Sequence, residues 1–175
     1  MAEEQGKAKL SFLRKGLDQV AIVVKDLDQA VERYWTLLGI GPWRIFTFGK
    51  PAVKRMSYHG QPAEFKFRTA FAQAGSLRIE LIEAVEGQTI YGDFIKERGY
   101  GLHHVGVLVE DMAKALEEAR AAGVSVLQEG SGYGLDGDGA YAYLDTEDLI
   151  GAILELIELP ARRAAPDRVY PPEEA

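Results

Sequence analysis

The chain repeats itself once, and this constrains its fold more than any other feature. Leu17-Asp18-Gln19-Val20-Ala21-Ile22-Val23-Val24-Lys25-Asp26-Leu27 aligns with Leu102-His103-His104-Val105-Gly106-Val107-Leu108-Val109-Glu110-Asp111-Met112 at a constant offset of 85 residues. Ile79-Glu80-Leu81-Ile82-Glu83 aligns with Leu154-Glu155-Leu156-Ile157-Glu158 at an offset of 75. Two matches in the same order mean two copies of one unit, each opening and closing on the same segments. The first copy is longer by 10 residues, and the extra length is expected between Trp43 and Glu64.

Each opening segment is a β-branched run, which reads as a buried strand. A helix signal follows at once. Asp26 is the expected N-cap, with Gln29 as its capping-box partner; Val31, Tyr34, Trp35 and Leu38 form a face, and Gly39 is the stop. In the second copy Asp111 caps, Met112, Ala115, Leu116 and Ala119 form the face, and Gly123 ends the helix. Further strands are expected at Trp43–Phe48, Glu64–Gln73 and Leu77–Glu83, and at Val124–Gln128, Ala140–Leu144 and Ile153–Glu158. The fold class is α+β, built from two β-α-β-β-β modules. An N-terminal extension (1–15) precedes the first module (16–88). A linker (89–101) carrying a short helix at Thr89–Arg98 leads to the second module (102–159). The tail (160–175) has no periodicity and is expected to be mobile or to dock on a partner.

Strand side chains alternate between faces. Val20, Ile22 and Val24 suit the helix side, as do Val105, Val107 and Val109. Leu81, Leu154 and Leu156 take the same role in the closing strands. The opposite face then carries Gln19, Glu80, His104 and Glu155, at equivalent positions of the repeat and among apolar neighbours. Any one of these alone would more often be exposed or satisfied by hydrogen bonds. Together they point to ligands for one divalent ion, because two buried carboxylates repel each other and are costly without a partner. The chain has no cysteine, so only imidazole, carboxylate and amide oxygen are available. That set suits Zn²⁺, Mn²⁺, Co²⁺, Ni²⁺ or Mg²⁺.

These residues resemble the vicinal-oxygen-chelate superfamily, which includes glyoxalase I, methylmalonyl-CoA epimerase, extradiol dioxygenases and antibiotic-binding proteins. The resemblance covers residues 16–159. It implies that the paired modules form a cupped, incompletely closed sheet, that the metal ligands come from the first and last strands of each module, and that the protein is a homodimer. Gln19 in place of a first histidine disfavours an iron dioxygenase. Gly101-Leu102-His103-His104-Val105, Phe94-Ile95-Lys96-Glu97 and Gly151-Ala152-Ile153-Leu154-Glu155-Leu156 look most like the epimerase. The Gln/Glu/His/Glu set itself is similar to that of glyoxalase I. The resemblance also implies a catalytic base at Glu64, with Glu155 as the second proton carrier and a metal ligand as well. The expected function is therefore a metal-dependent epimerase or racemase acting next to a carbonyl through a metal-stabilised enolate. A glyoxalase I-like lactoylglutathione lyase is one alternative, and a non-catalytic small-molecule binding protein of the same fold is another.

The net charge of −7 disfavours nucleic acid as a partner, since no basic surplus offsets phosphate charge. Lys54, Arg55, Lys66 and Arg68 nonetheless form a local basic cluster suited to an anionic substrate. No apolar stretch approaches the ~20 residues of a membrane span, and a cytoplasmic location with a small carbonyl substrate is expected. His103 is expected to point away from His104 by alternation. Gly130–Gly139 lacks phosphate-loop and EF-hand spacing and is expected to be a mobile loop over the pocket, with Tyr133 lining it.

Overall fold

In the computed structural model, which describes residues 10–172, the two strands that open the repeat lie side by side. β1 (Gln19–Val23) and β7 (Gly101–Leu108) pair antiparallel, with Gln19 opposite Gly106 and Ala21 opposite His104. Each pairs in parallel with the strand that closes its own module: β1 with β6 (Leu77–Glu86), and β7 with β10 (Ile153–Glu158). The helix and strands between opening and closing segments supply the long crossover that a parallel pair needs. β2 (Trp43–Phe48) and β5 (Lys66–Ala74) extend the first module outward; β8 (Val126–Tyr133) and β9 (Gly139–Leu144) extend the second. The extra length of the first copy is the hairpin of β3 (Arg55–Tyr58) and β4 (Gln61–Pro62), and a last strand, β11 (Arg168–Tyr170), closes the chain. One 11-stranded sheet results, in the order β11-β2-β5-β6-β1-β7-β10-β9-β8-β3-β4, curled into an open half-barrel.

The alternation read from the sequence decides which face is which. α1 (Leu27–Leu38) covers Ile22, Val24, Leu81, Trp43 and Ala70 on the convex side of the first module. α3 (Met112–Ala121) covers Val105, Val107, Val109, Leu154 and Leu156 on that of the second. Asp26 caps α1 by accepting from Gln29 N at 2.9 Å, and Asp111 caps α3 by accepting from Lys114 N at 3.0 Å. α1 departs from the expected face: it buries Leu27 and Val31, with Tyr34 partly buried. Trp35 and Leu38 are exposed.

The concave side holds a separate core of Ala21, Val23, Phe65, Phe67, Ile82, Tyr141 and Tyr143. α2 (Ile90–Arg98) links the modules and lays Ile90, Tyr91 and Phe94 into that core. Thr89 caps α2, accepting from Gly92 N at 3.0 Å. Among the described residues, no helix is long and apolar enough to cross a membrane.

Two expectations are corrected. Gly130–Gly139 is not one loop: Gly130–Tyr133 belong to β8 and Gly139 opens β9, so only residues 134–138 connect them, while Tyr133 and Gly134 line the pocket as expected. A Cβ at Gly130 would lie 2.3 Å from the Tyr141 hydroxyl, so glycine there lets the tyrosine lie flat across the strand. Within the tail, residues 159–167 border the mouth of the cup, and β11 pairs antiparallel with β2 of the first module. Its docking site is the chain itself; residues 173–175 lie outside the described residues.

Candidate functional site

The four central strands β6, β1, β7 and β10 are neighbours, and each contributes a polar residue to the floor of the concave face. Glu80, Gln19, His104 and Glu155 are thereby brought together on the floor of the cup, all buried. Gln19 Nε2 donates to Glu80 Oε2 at 2.6 Å and to Glu155 Oε2 at 2.7 Å. His104 Nε2 lies 3.1 Å from Glu155 Oε2 and 3.4 Å from Glu80 Oε2. Thr69 Oγ1 donates to Glu80 Oε1 at 2.7 Å.

Burial pushes the Glu80 carboxyl up from its ordinary range, and the neighbouring Glu155 charge adds to the rise. Burial alone would lower His104, but the charge and hydrogen bonds of Glu155 and Glu80 outweigh it and raise the imidazole to about 9. Without an ion, a proton on His104 thus offsets part of the charge of the two carboxylates. Glu80, His104 and Glu155 each offer a ligand atom, and these atoms all lie within 4.8 Å of one another. Two carboxylates and an imidazole, buried and converging, fit a divalent ion. Gln19 sits beside them with its amide nitrogen inward, because Arg78 Nε donates to its Oε1 at 2.6 Å. To offer oxygen to an ion, the amide must turn over and set its own N–H groups against that of Arg78.

Two neighbours escaped the sequence reading. His103 does not point away: the β1–β7 register shifts between Ala21 and Ile22, and this bulge breaks the alternation. His103 Nδ1 lies 2.9 Å from His104 Nδ1, and both rings are buried. Burial, then the His104 charge, lowers His103 to about 3, so it is a neutral acceptor for the His104 N–H. Arg78 is the other. It aligns with Ile153 in the repeat, and a charge where the copy has a hydrophobe was the signal available.

Glu64 is not brought to this cluster. It precedes β5, its side chain is 71% exposed, and it is ion-paired with Lys50. It lines a separate groove of about 620 Å³ with Lys54 and Arg55. The basic cluster is dispersed as well, since Lys66 pairs with Glu86, and Arg68 with Asp28 and Glu83.

The cup above the floor is a cavity of about 790 Å³. Its walls carry Phe46, Phe48, Phe67, Phe71, Tyr133 and Tyr141, and Glu80 and Glu155 open into it. Residues 18–143 match the family model described as the glyoxalase/bleomycin resistance protein/dioxygenase superfamily. The chain belongs to that superfamily. Within it, the chain is similar to the uncharacterised protein YqjC of Bacillus subtilis, at 25% identity over 81% of this chain and 91% of that one. It is 30% identical to an ethylmalonyl-CoA/methylmalonyl-CoA epimerase of Cereibacter sphaeroides, over 80% of this chain and 95% of the relative. Among solved structures, a variant of Streptomyces coelicolor methylmalonyl-CoA epimerase in complex with 2-nitronate-propionyl-CoA superposes with a TM-score of 0.58. That match has 21% identity and covers 85% of this chain and 96% of the other. The shared fold is this superfamily's curled sheet.

Proposed function

We propose that the chain is a metal-dependent isomerase that moves a proton next to the carbonyl of a small substrate, with epimerisation of a malonyl-type CoA thioester as its reaction. The observation that carries this reading is the convergence of Glu80, His104 and Glu155 on the floor of an aromatic cup. The epimerase among the relatives supports the choice of reaction.

Glu80, His104 and Glu155 would hold the ion, which when bound supplies Lewis-acid polarisation of a carbonyl oxygen. The chain's own groups do the rest. Gln19 and Thr69 fix the carboxylate oxygens by hydrogen bonds, so little reorganisation accompanies the reaction. Glu155 Oε2 is engaged by Gln19 and His104, while no hydrogen bond is formed by Glu155 Oε1 among the described residues. Oε1 is the oxygen left to take an α-proton; once the substrate's α-carbon has turned its other face to Glu155, Oε1 returns a proton there, which inverts the centre. The aromatic walls keep water from the exposed carbanionic centre. Glu64, paired with Lys50 outside the cup, has no part in this scheme.

The test is solvent exchange. Metal-loaded protein incubated with methylmalonyl-CoA in D₂O is expected to place deuterium at the α-carbon. Glu155→Gln is expected to slow this about 100-fold or more, with metal content measured separately. Absence of exchange in the loaded wild-type protein overturns the reading. Turnover of the methylglyoxal–glutathione adduct instead would move it to the lyase.

A further inference from the structure

Three arginines line the cup: Arg44 on β2, Arg78 on β6 and Arg163 on the segment at its mouth. Among the described residues none of the three has an ion-pair partner, whereas Arg68, Arg98, Arg162 and Arg168 are all paired. The acidic groups on the same wall are Glu80 and Glu155 on the floor and the exposed Asp167 at the rim.

Arg78 lies deepest. Its Nε is spent on Gln19 Oε1 at 2.6 Å, and its guanidinium carbon sits 4.9 Å from the Phe71 ring centroid. These two contacts fix the plane of the group. Among the described residues its two terminal nitrogens have no protein acceptor. A guanidinium held in place with its fork unspent is built to take a carboxylate through two parallel hydrogen bonds. The fold does not require the charge, because the equivalent position of the second copy is the buried Ile153. A half-buried cation without a counter-ion costs stability, which a ligand anion would recover.

Geometry limits that ligand. From Arg78 to the site there is one amide group, with hydrogen bonds of 2.6 Å on one side and 2.7 Å to Glu155 Oε2 on the other. A substrate touching both the site and the guanidinium fork must be short between its two ends.

We propose that Arg78 anchors a free carboxylate of the substrate, so that the cup selects carbonyl compounds that carry that carboxylate on the reacting carbon. A malonyl-type acyl group fits and a simple fatty acyl group does not. The inference rests on reading the cup as the reaction site, and its test separates the two. Malonate, titrated calorimetrically into the full chain with and without Zn²⁺, is the probe. The wild type is expected to bind it, and Arg78→Met to weaken binding about tenfold or more. Arg78→Lys keeps the charge but not the fork and should weaken it less. Arg120→Met, which removes a charge from the outer side of α3, should leave binding unchanged. Melting curves confirm that each variant is folded. Malonate binding that is absent from the wild type, or unchanged in both Arg78 variants, overturns the anchor. Arg78-dependent binding in a protein that exchanges no α-proton of methylmalonyl-CoA leaves the anchor standing and sinks the isomerase. Exchange with a KM indifferent to Arg78→Met does the reverse.

Discussion

At Gly106 the site leaves no room for a side chain. A Cβ there would lie 3.0 Å from Gln19 Cβ and 3.3 Å from Glu155 Oε2, so the floor is packed as tightly as a core. In such packing, what orients one ring matters as much as which ring is present. His104 turns Nε2 to the carboxylates, so its Nδ1–H must be accepted by His103 Nδ1. His103→Phe removes that acceptor, and the tautomer that presents Nε2 to an ion loses its support. Zinc affinity, measured by chelator competition, is expected to fall about 10–100-fold. His103→Asn should recover part of it through its amide oxygen, and unchanged affinity in both variants would show that the pair does not set the tautomer. Gln19, Glu80, His104 and Glu155 were legible in the sequence because repeat-equivalent positions on alternating strands share a face. His103 was not, since one bulged residue reverses the alternation and leaves no local mark. Glu64 was placed by likeness to a family; whether a carboxylate reaches the cup depends on the turn before β5, which alternation cannot fix.

Among the elements, helix starts were the most legible. A capping carboxylate acts within its own turn, so Asp26 and Asp111 declare themselves without tertiary context. The C-terminal segment was the least legible, because its partners are distant in the chain and its strand spans only Arg168–Tyr170. Asp28 at the start of α1 ties it down, pairing with Arg168 and with Arg68. The Arg68 hydrogen bond, with the charges of Arg68 and Arg168, holds the Asp28 carboxyl below its ordinary 3.8. A carboxyl lowered on folding stabilises the fold above its unfolded pKa, and that contribution is lost as pH falls through the folded value. The docking of β11 should therefore be unchanged from neutral pH down to about 4 and weaken below. Asp28→Asn should mimic the acid state at neutral pH. Hydrogen exchange at the amides of 167–170 is expected to speed up in the variant, with β1 and β7 unaffected. Equal protection in both proteins would mean that the strand is held by its backbone ladder alone.

Across the whole molecule, each module's open edge is covered by a segment from elsewhere in the chain. The β3–β4 hairpin of the first module crosses to β8 of the second, with Arg55 opposite Ser131 and Tyr58 opposite Gln128. Beyond the second module, the chain returns to the first, where Arg168 faces Ile45 and Tyr170 faces Trp43. An uncovered strand edge is a template for pairing with another molecule, so this exchange protects the sheet while binding the two copies into one cooperative unit. The return path also forms the cup's rim, fastened by Leu135 N to Arg162 O at 2.9 Å and Asp167 N to Ile45 O at 2.8 Å. Ending the chain at Leu159 would remove the β11 ladder, these anchors and the Tyr170 packing, while the four floor residues keep their strands. A loss of about 2 kcal/mol, and hence a melting temperature lower by roughly 4–8 °C, is expected. The bared β2 edge should promote self-association, visible by light scattering as concentration rises. Zinc should still bind, because Glu80, His104 and Glu155 lie on β6, β7 and β10, away from that edge. Malonate should bind more weakly through the loss of Arg163. A truncated protein that melts and scatters like the full chain would show that the returning strand does not cover β2 in solution. One that no longer binds zinc would show that the rim shapes the floor as well as bordering it.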